Sequence, residues 1–137
     1  MIVADTGVVL ALLDTDDRHH AAAVDVFRAT GERWLLPWAI LPEVDYLMVR
    51  HGGEGAAEAF RSDLAEGAWV VEWGEDDDLA AAHALLSRYA DLHLGLVDGV
   101  VMAVAERLHA EAIATLDLRH FGAVSLAGSP QLLPRDA

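Results

Sequence analysis

Met1-Ile2-Val3-Ala4-Asp5-Thr6-Gly7 opens the chain, and the architecture follows from it. Ile2, Val3 and Ala4 fit a buried strand that ends at a carboxylate. Thr6-Gly7 interrupts it, and Val8-Val9-Leu10-Ala11-Leu12-Leu13 resumes as an apolar stretch with helical character. Asp5 therefore stands where one buried element hands over to another. Capping is one role for an acid there, because Asp or Thr ahead of an apolar run satisfies free N–H groups at a helix start. A second role comes into view because similar arrangements recur at Glu43, Asp98 and Asp117.

Downstream of Asp14-Thr15-Asp16-Asp17, a second helix is expected over Arg18 to Ala29, with Val24 and Phe27 at helical spacing. His19 and His20 are neighbours on that helix and point in different directions, so surface positions are expected rather than a shared ion. Gly31-Glu32-Arg33 reads as a turn and Trp34-Leu35-Leu36 as a strand. The next helix carries Leu41, Val44, Leu47 and Met48 on one stripe, with Glu43 beside it in the first turn and Pro42 either near its start or kinking it. Gly52-Gly53 closes it, and Glu54 to Ala65 forms the other arm of a helical hairpin.

Ala68 to Glu72 is the third expected strand, followed by a helix that Glu75-Asp76-Asp77-Asp78 opens. Acids at a helix N-terminus suit its dipole, and this run is expected to be solvated. Asp98 is the acid that stands out. It lies inside the nearly unbroken apolar run Leu92 to Ala105, expected as a loop and then a buried helix over about Leu96 to Leu108. A carboxylate buried there needs a hydrogen-bonding, ionic or metal partner. Capping and metal binding both answer that need. Ala112 to Leu116 is a strand that delivers Asp117, as the first strand delivers Asp5. Val124-Ser125-Leu126 is expected as a last short strand, and a tail containing Pro130 and Pro134 as starting near residue 128.

A length of 137 residues with 54% hydrophobic content supports one domain, residues 1–137, with a sizeable core. Apolar runs fall short of a membrane span, and Met1 to Asp5 carries no basic region or cleavage site for secretion, so a cytoplasmic protein is expected. Having no Cys removes thiolate chemistry and Cys-ligated metals. All nine basic residues are Arg, and the missing Lys excludes a P-loop or a Schiff-base enzyme. A formal charge of −14 argues against a broad basic surface for nucleic acid. Either the ligand is no polyanion, or divalent cations and a few Arg residues supply positive charge locally.

Strands alternating with helices imply an α/β fold: a mainly parallel central sheet of about four to five strands with helices on both faces. Ligands of such sheets bind outside the carboxyl ends of the strands, where Asp5 and Asp117 fall, and helices carrying Glu43 and Asp98 start toward that same edge. Four converging carboxylates without Lys repel one another unless a divalent cation neutralises them. Oxygen donors favour Mg²⁺ or Mn²⁺, and such a cation activates water for phosphodiester cleavage.

The segments VADTG (3–7), LPEVDYLM (41–48), LGLVDGVVMAVAERL (94–108) and IATLDLRHF (113–121), with the YADLHLG (89–95) lead-in, together resemble a PIN domain of the VapC type, the ribonuclease toxins of bacterial toxin-antitoxin systems. The likeness covers nearly the whole chain in order. It implies a Mg²⁺- or Mn²⁺-dependent endoribonuclease with an acidic set of Asp5, Glu43, Asp98 and Asp117, serving as metal ligands and catalytic groups. Thr6 follows the first acid as in the family and would orient it or a bound water. Arg119 matches the second Arg of the frequent D-R-R-H-F run, whereas Leu118 replaces the first. The resemblance also implies a cognate VapB-type antitoxin whose C-terminal segment covers the active site, and a homodimer formed through exposed apolar surface is expected. The alternatives are a non-catalytic PIN-like module that binds RNA or protein, and a metal-dependent nuclease acting on DNA, which would differ in substrate shape and 2′-OH contacts.

Overall fold

Short apolar strands separated by amphipathic helices can bury their side chains only by stacking in parallel under helical cover. The computed structural model, which describes all 137 residues, shows that outcome. Five strands form one sheet: β1 (Ile2–Ala4), β2 (Trp34–Pro37), β3 (Val71–Glu72), β4 (Ala112–Ala114) and β5 (Gln131–Leu133). Their order is β3-β2-β1-β4-β5, and every pairing is parallel. The helices are α1 (Thr6–Leu13), α2 (His20–Thr30), α3 (Ile40–Gly52), α4 (Glu54–Ala65), α5 (Asp77–Arg88), α6 (Leu96–Arg107) and the single turn α7 (Leu118–Phe121).

The chain steps outward from central β1 to β2 and β3, then returns across the sheet to β4 and β5 on the other side. Right-handed crossovers put the helices of the outward steps on one face and α5 and α6 of the return on the opposite face. The reversal of direction falls between β1 and β4, which pair over Ile2↔Ala112 to Ala4↔Ala114. That seam is a topological switch point, where loops on either side diverge and leave a crevice at the strand ends.

β1 and β4 are buried at every residue, and α6 is buried from Gly99 through Ala105, so the core lies along the seam. Gly99 permits close packing of α5 on α6: a methyl group there would stand 3.2 Å from Leu86 Cγ and 3.3 Å from Ala82 Cβ. Trp34, Phe27, Trp69 and Phe60 form an aromatic chain joining α2, β2 and α4, with edge-on contacts at both ends and a tilted one between Phe27 and Trp69. Pro42 is the third residue of α3, inside the first turn, where a missing N–H forfeits no intrahelical bond. None of the helices is long and apolar enough to cross a membrane.

Two expectations from the sequence are corrected. Val124-Ser125-Leu126 is not a strand; β5 lies instead in the presumed tail, where the Gln131 and Thr115 amides bond to Glu111 and Leu133 carbonyls at 3.0 and 2.9 Å and bury Leu132 and Leu133. Prolines on both sides suit an edge strand because its outer N–H groups need no partner. The acid run 75–78 is not uniformly solvated. Asp78 is 2% exposed, and the Arg107 guanidinium holds both its oxygens at 2.7 and 3.0 Å while also reaching Glu72 at 2.8 Å.

Candidate active site

Asp5 ends the central strand, and its own N–H still donates to the Ala114 carbonyl of β4 at 2.9 Å. Its position is the N-cap of α1, yet its side chain makes no capping bond. The carboxylate accepts instead from the Thr115 hydroxyl, Oγ1 to Oδ2 3.1 Å, across the seam. Thr115 is fully buried, and its Oγ1 also accepts the Asp117 N–H at 3.0 Å. One hydroxyl thus ties the two strand-end acids together. Burial pushes the Asp5 carboxyl up to about 7, with the Asp98 and Asp117 charges adding to the rise and the Thr6 amide and Thr115 hydroxyl opposing it.

Asp117 caps α7: Oδ1 accepts the His120 N–H at 3.1 Å, and Oδ2 meets His120 Nδ1 at 2.8 Å. Asp98 is the third residue of α6, half-buried, with Oδ2 facing the Gly95 N–H at 3.4 Å. Its capping bond is long, so capping satisfies this acid only in part. Desolvation raises the Asp98 carboxyl, the Gly95 amide lowers it, Asp117 raises it, His120 lowers it and Glu43 raises it, for a net rise. Glu43, half-buried in the first turn of α3, is thereby within electrostatic reach of Asp98.

Asp98, Asp117 and His120 each offer a ligand atom, all within 4.8 Å of one another. Asp5 and Glu43 lie outside that tight group but belong to the same field, since Asp98 feels Glu43 and Asp5 feels both Asp98 and Asp117. Among the ion pairs, only His120 approaches any of these four acids. Four carboxylates with so little compensation suit a hard divalent cation. An independent observation fits that group: Thr6 Oγ1, beside Asp5, is buried with no hydrogen-bond partner. A buried hydroxyl left unpaired is costly, and a cation or its water shell would satisfy it.

Arg119 is exposed on α7 and free of ion pairs, while Leu118 beside it is 42% exposed and brings no charge. Thr115 and His120 escaped the reading of the sequence as individual contributors. Each left a trace: Thr115 is the polar residue in the otherwise apolar stretch 112–116, and His120 stands three residues after Asp117, about one helical turn on.

The strand-end acids, the switch point and the parallel sheet define a class, and the chain belongs to the PIN domain family, whose model matches residues 2–125. It is 28% identical over 127 residues to Ribonuclease VapC26 of Mycobacterium tuberculosis, covering 93% of this chain and 94% of that protein. The crystal structure of Mycobacterium tuberculosis VapC20, described as a Sarcin-Ricin loop cleaving toxin, superposes with a TM-score of 0.83 at 22% identity over 93% of this chain and 98% of that one. DNA-bound VapBC from Salmonella typhimurium gives 0.70 at 13% identity over 96% and 95%. At those identities the two structures establish a shared fold.

Proposed function

We propose that this chain is a VapC-type toxin: an endoribonuclease that hydrolyses RNA phosphodiester bonds with a divalent cation, Mg²⁺ or Mn²⁺, held by Asp5, Glu43, Asp98 and Asp117. The observation that carries this reading is the buried Asp5 carboxylate, raised to about 7 beside three further acids and an unpartnered Thr6 hydroxyl. A cation bound there would supply Lewis-acid activation of water and neutralise charge developing on the phosphate. Asp5 would be a fixed ligand, because Thr115 holds its Oδ2 and the sheet holds its backbone. Asp117 keeps its orientation through His120 and through its own amide on Thr115. Asp98 and Glu43, less buried and less tied, would face the scissile group. Arg119, exposed at the same turn, is available to a phosphate oxygen. Names of relatives, among them Ribonuclease VapC26, support RNA as the substrate, and the VapBC assembly supports a VapB-type antitoxin as partner. Leu96 and Leu118, both exposed and each within two residues of Asp98 or Asp117, offer apolar surface for such a partner to cover. Exposed Tyr46 and Val49 on α3 are the surface we assign to a homodimer.

Partner-free protein should cleave single-stranded RNA with Mg²⁺ or Mn²⁺ and stop when EDTA is added, and Asp98→Asn should abolish cleavage while leaving the melting temperature near that of wild type. Cleavage undiminished by EDTA, or retained by Asp98→Asn, would overturn the reading.

A further inference from the structure

Asp117 at the N-cap of α7 and His120 three residues on share one tight turn, so the imidazole folds back over the acid. Asp117 Oδ1 accepts the His120 N–H at 3.1 Å, and Nδ1 of the ring stands 2.8 Å from Oδ2. Asp98 brings a third donor from α6, and one ligand atom from each of the three residues lies within 4.8 Å of the other two. No other three His, Asp or Glu side chains of the molecule come together in this way.

The three donors ride on fixed elements. Phe121, 3% exposed, seats α7 in the core, and the Asp117 N–H is held by Thr115 Oγ1 at 3.0 Å. On α6, burial begins at Gly99, immediately after Asp98. Donors already in place lose little freedom when they close on an ion.

A hydrogen bond and a chelate make similar demands on the His120–Asp117 pair. Neighbouring donors on an octahedral ion, each about 2.1 Å from it, stand about 3 Å apart. That is close to the 2.8 Å between Nδ1 and Oδ2. A proton between the two atoms therefore stands where a cation would, and the tautomer with its hydrogen on Nε2 turns the Nδ1 lone pair to a metal. The surroundings call for positive charge, since no Arg pairs with Asp5, Glu43, Asp98 or Asp117. Thr6 Oγ1, 95% buried or nearly so beside Asp5 and without a partner, is a separate sign of a missing ligand.

We infer that His120 is a nitrogen ligand of the cation, entering through Nδ1 beside Asp117 and Asp98, and that it tunes the site toward Mn²⁺ over Mg²⁺; this rests on the cation reading above. Carboxylates alone suit Mg²⁺ and Mn²⁺ alike, because both are hard ions. An imidazole donor favours the transition metal, whereas Mg²⁺ gains little from nitrogen.

The test uses the partner-free full chain. Titration calorimetry reads Mn²⁺ and Mg²⁺ affinities, and electron spin-echo modulation of bound Mn²⁺ reads nitrogen in its coordination shell. Wild type is expected to bind Mn²⁺ more tightly than Mg²⁺ and to show directly coordinated ¹⁴N that labelling with ¹⁵N-histidine replaces. His120→Asn is the informative variant: its amide can still donate to Asp117 from near the place of Nδ1, but offers a metal only oxygen. It should lose the nitrogen signal and weaken Mn²⁺ binding roughly tenfold, while Mg²⁺ binding changes less than about threefold. Bound Mn²⁺ without histidine nitrogen in wild type, or signal and Mn²⁺ preference intact in folded His120→Asn, overturns the inference. His120 then only orients Asp117, and the four-acid reading stands. If the Asn variant fails to fold, labelled and unlabelled wild type decide the matter between them. A wild type that binds no Mn²⁺ removes the inference and the cation reading together.

Discussion

Replacing Asp5 by Asn should stabilise the metal-free protein, and the size of the gain should depend on pH as it does for a buried carboxylate whose charge the fold leaves uncompensated. The Asp5 carboxyl rises from 3.8 to about 7 on folding, chiefly through burial. A unit of pKa corresponds to about 1.4 kcal/mol, so keeping the charged form in the metal-free fold costs about 4 kcal/mol relative to the unfolded chain. The sign follows from the native state binding the extra proton. Stability from this group is full below 3.8, falls as pH rises and reaches its floor above the folded value of about 7. Asn preserves an oxygen for the Thr115 hydroxyl and carries no charge to desolvate. Urea unfolding followed by circular dichroism in EDTA, for wild type and Asp5→Asn at a series of pH values, reads the difference and cancels other titrations. The wild type should lose about 1.4 kcal/mol per pH unit against the variant through this range, then level off. Mn²⁺ at a hundredfold excess over its Kd should restore about 2.7 kcal/mol to wild type and much less to Asp5→Asn. An Asp5→Asn protein less stable than wild type at about pH 8 in EDTA, with a difference independent of pH, would refute the argument, because the fold alone would then satisfy the carboxylate.

Asp117 behaves differently because it caps α7: in EDTA, Asp117→Ala should lose about 1 kcal/mol in the same unfolding assay, whereas Asp117→Asn, still able to accept the His120 N–H, should lose little. Arg107→Met should destabilise by about 3 kcal/mol at neutral pH by leaving Asp78 buried and unpaired. Burial pushes the Asp78 carboxyl up, but the Arg107 and Glu75 bonds outweigh it and hold the carboxyl below 3.8. The pair therefore contributes stability above that value that is lost as pH falls through the folded one, and the penalty of Arg107→Met, measured by urea unfolding, should shrink on acidification.

Local pattern encoded most of the fold. Ile2 to Ala4 followed by Asp5 announces a buried strand with an acid at its end, and the same grammar at Ala112 to Asp117 announces the second half of the seam. What stayed illegible depends on contacts distant in sequence. β5 between Pro130 and Pro134 gains strand character by pairing with β4, and nothing in Gln131-Leu132-Leu133 itself declares a partner. Asp78 looks like its solvated neighbours until Arg107, 29 residues away, is brought to it by the packing of α5 on α6. At the site, the extent of capping needed coordinates: Asp117 caps fully, Asp98 in part, and the Asp5 side chain makes no capping bond. Thr115 was visible as a residue but not as a bridge, since its role exists only once β1 and β4 lie side by side.

Whether the four acids hold one cation is read from Mn²⁺ binding itself. Titration calorimetry of partner-free wild type, Asp5→Asn, Glu43→Gln, Asp98→Asn and Asp117→Asn, each shown to be folded, reads whether four acids act as one site. Saturable Mn²⁺ binding by wild type, weakened roughly tenfold or more by each substitution, is the result expected of shared ligands. Folded single variants that all bind Mn²⁺ as wild type does, or a wild type that binds none, would contradict the account.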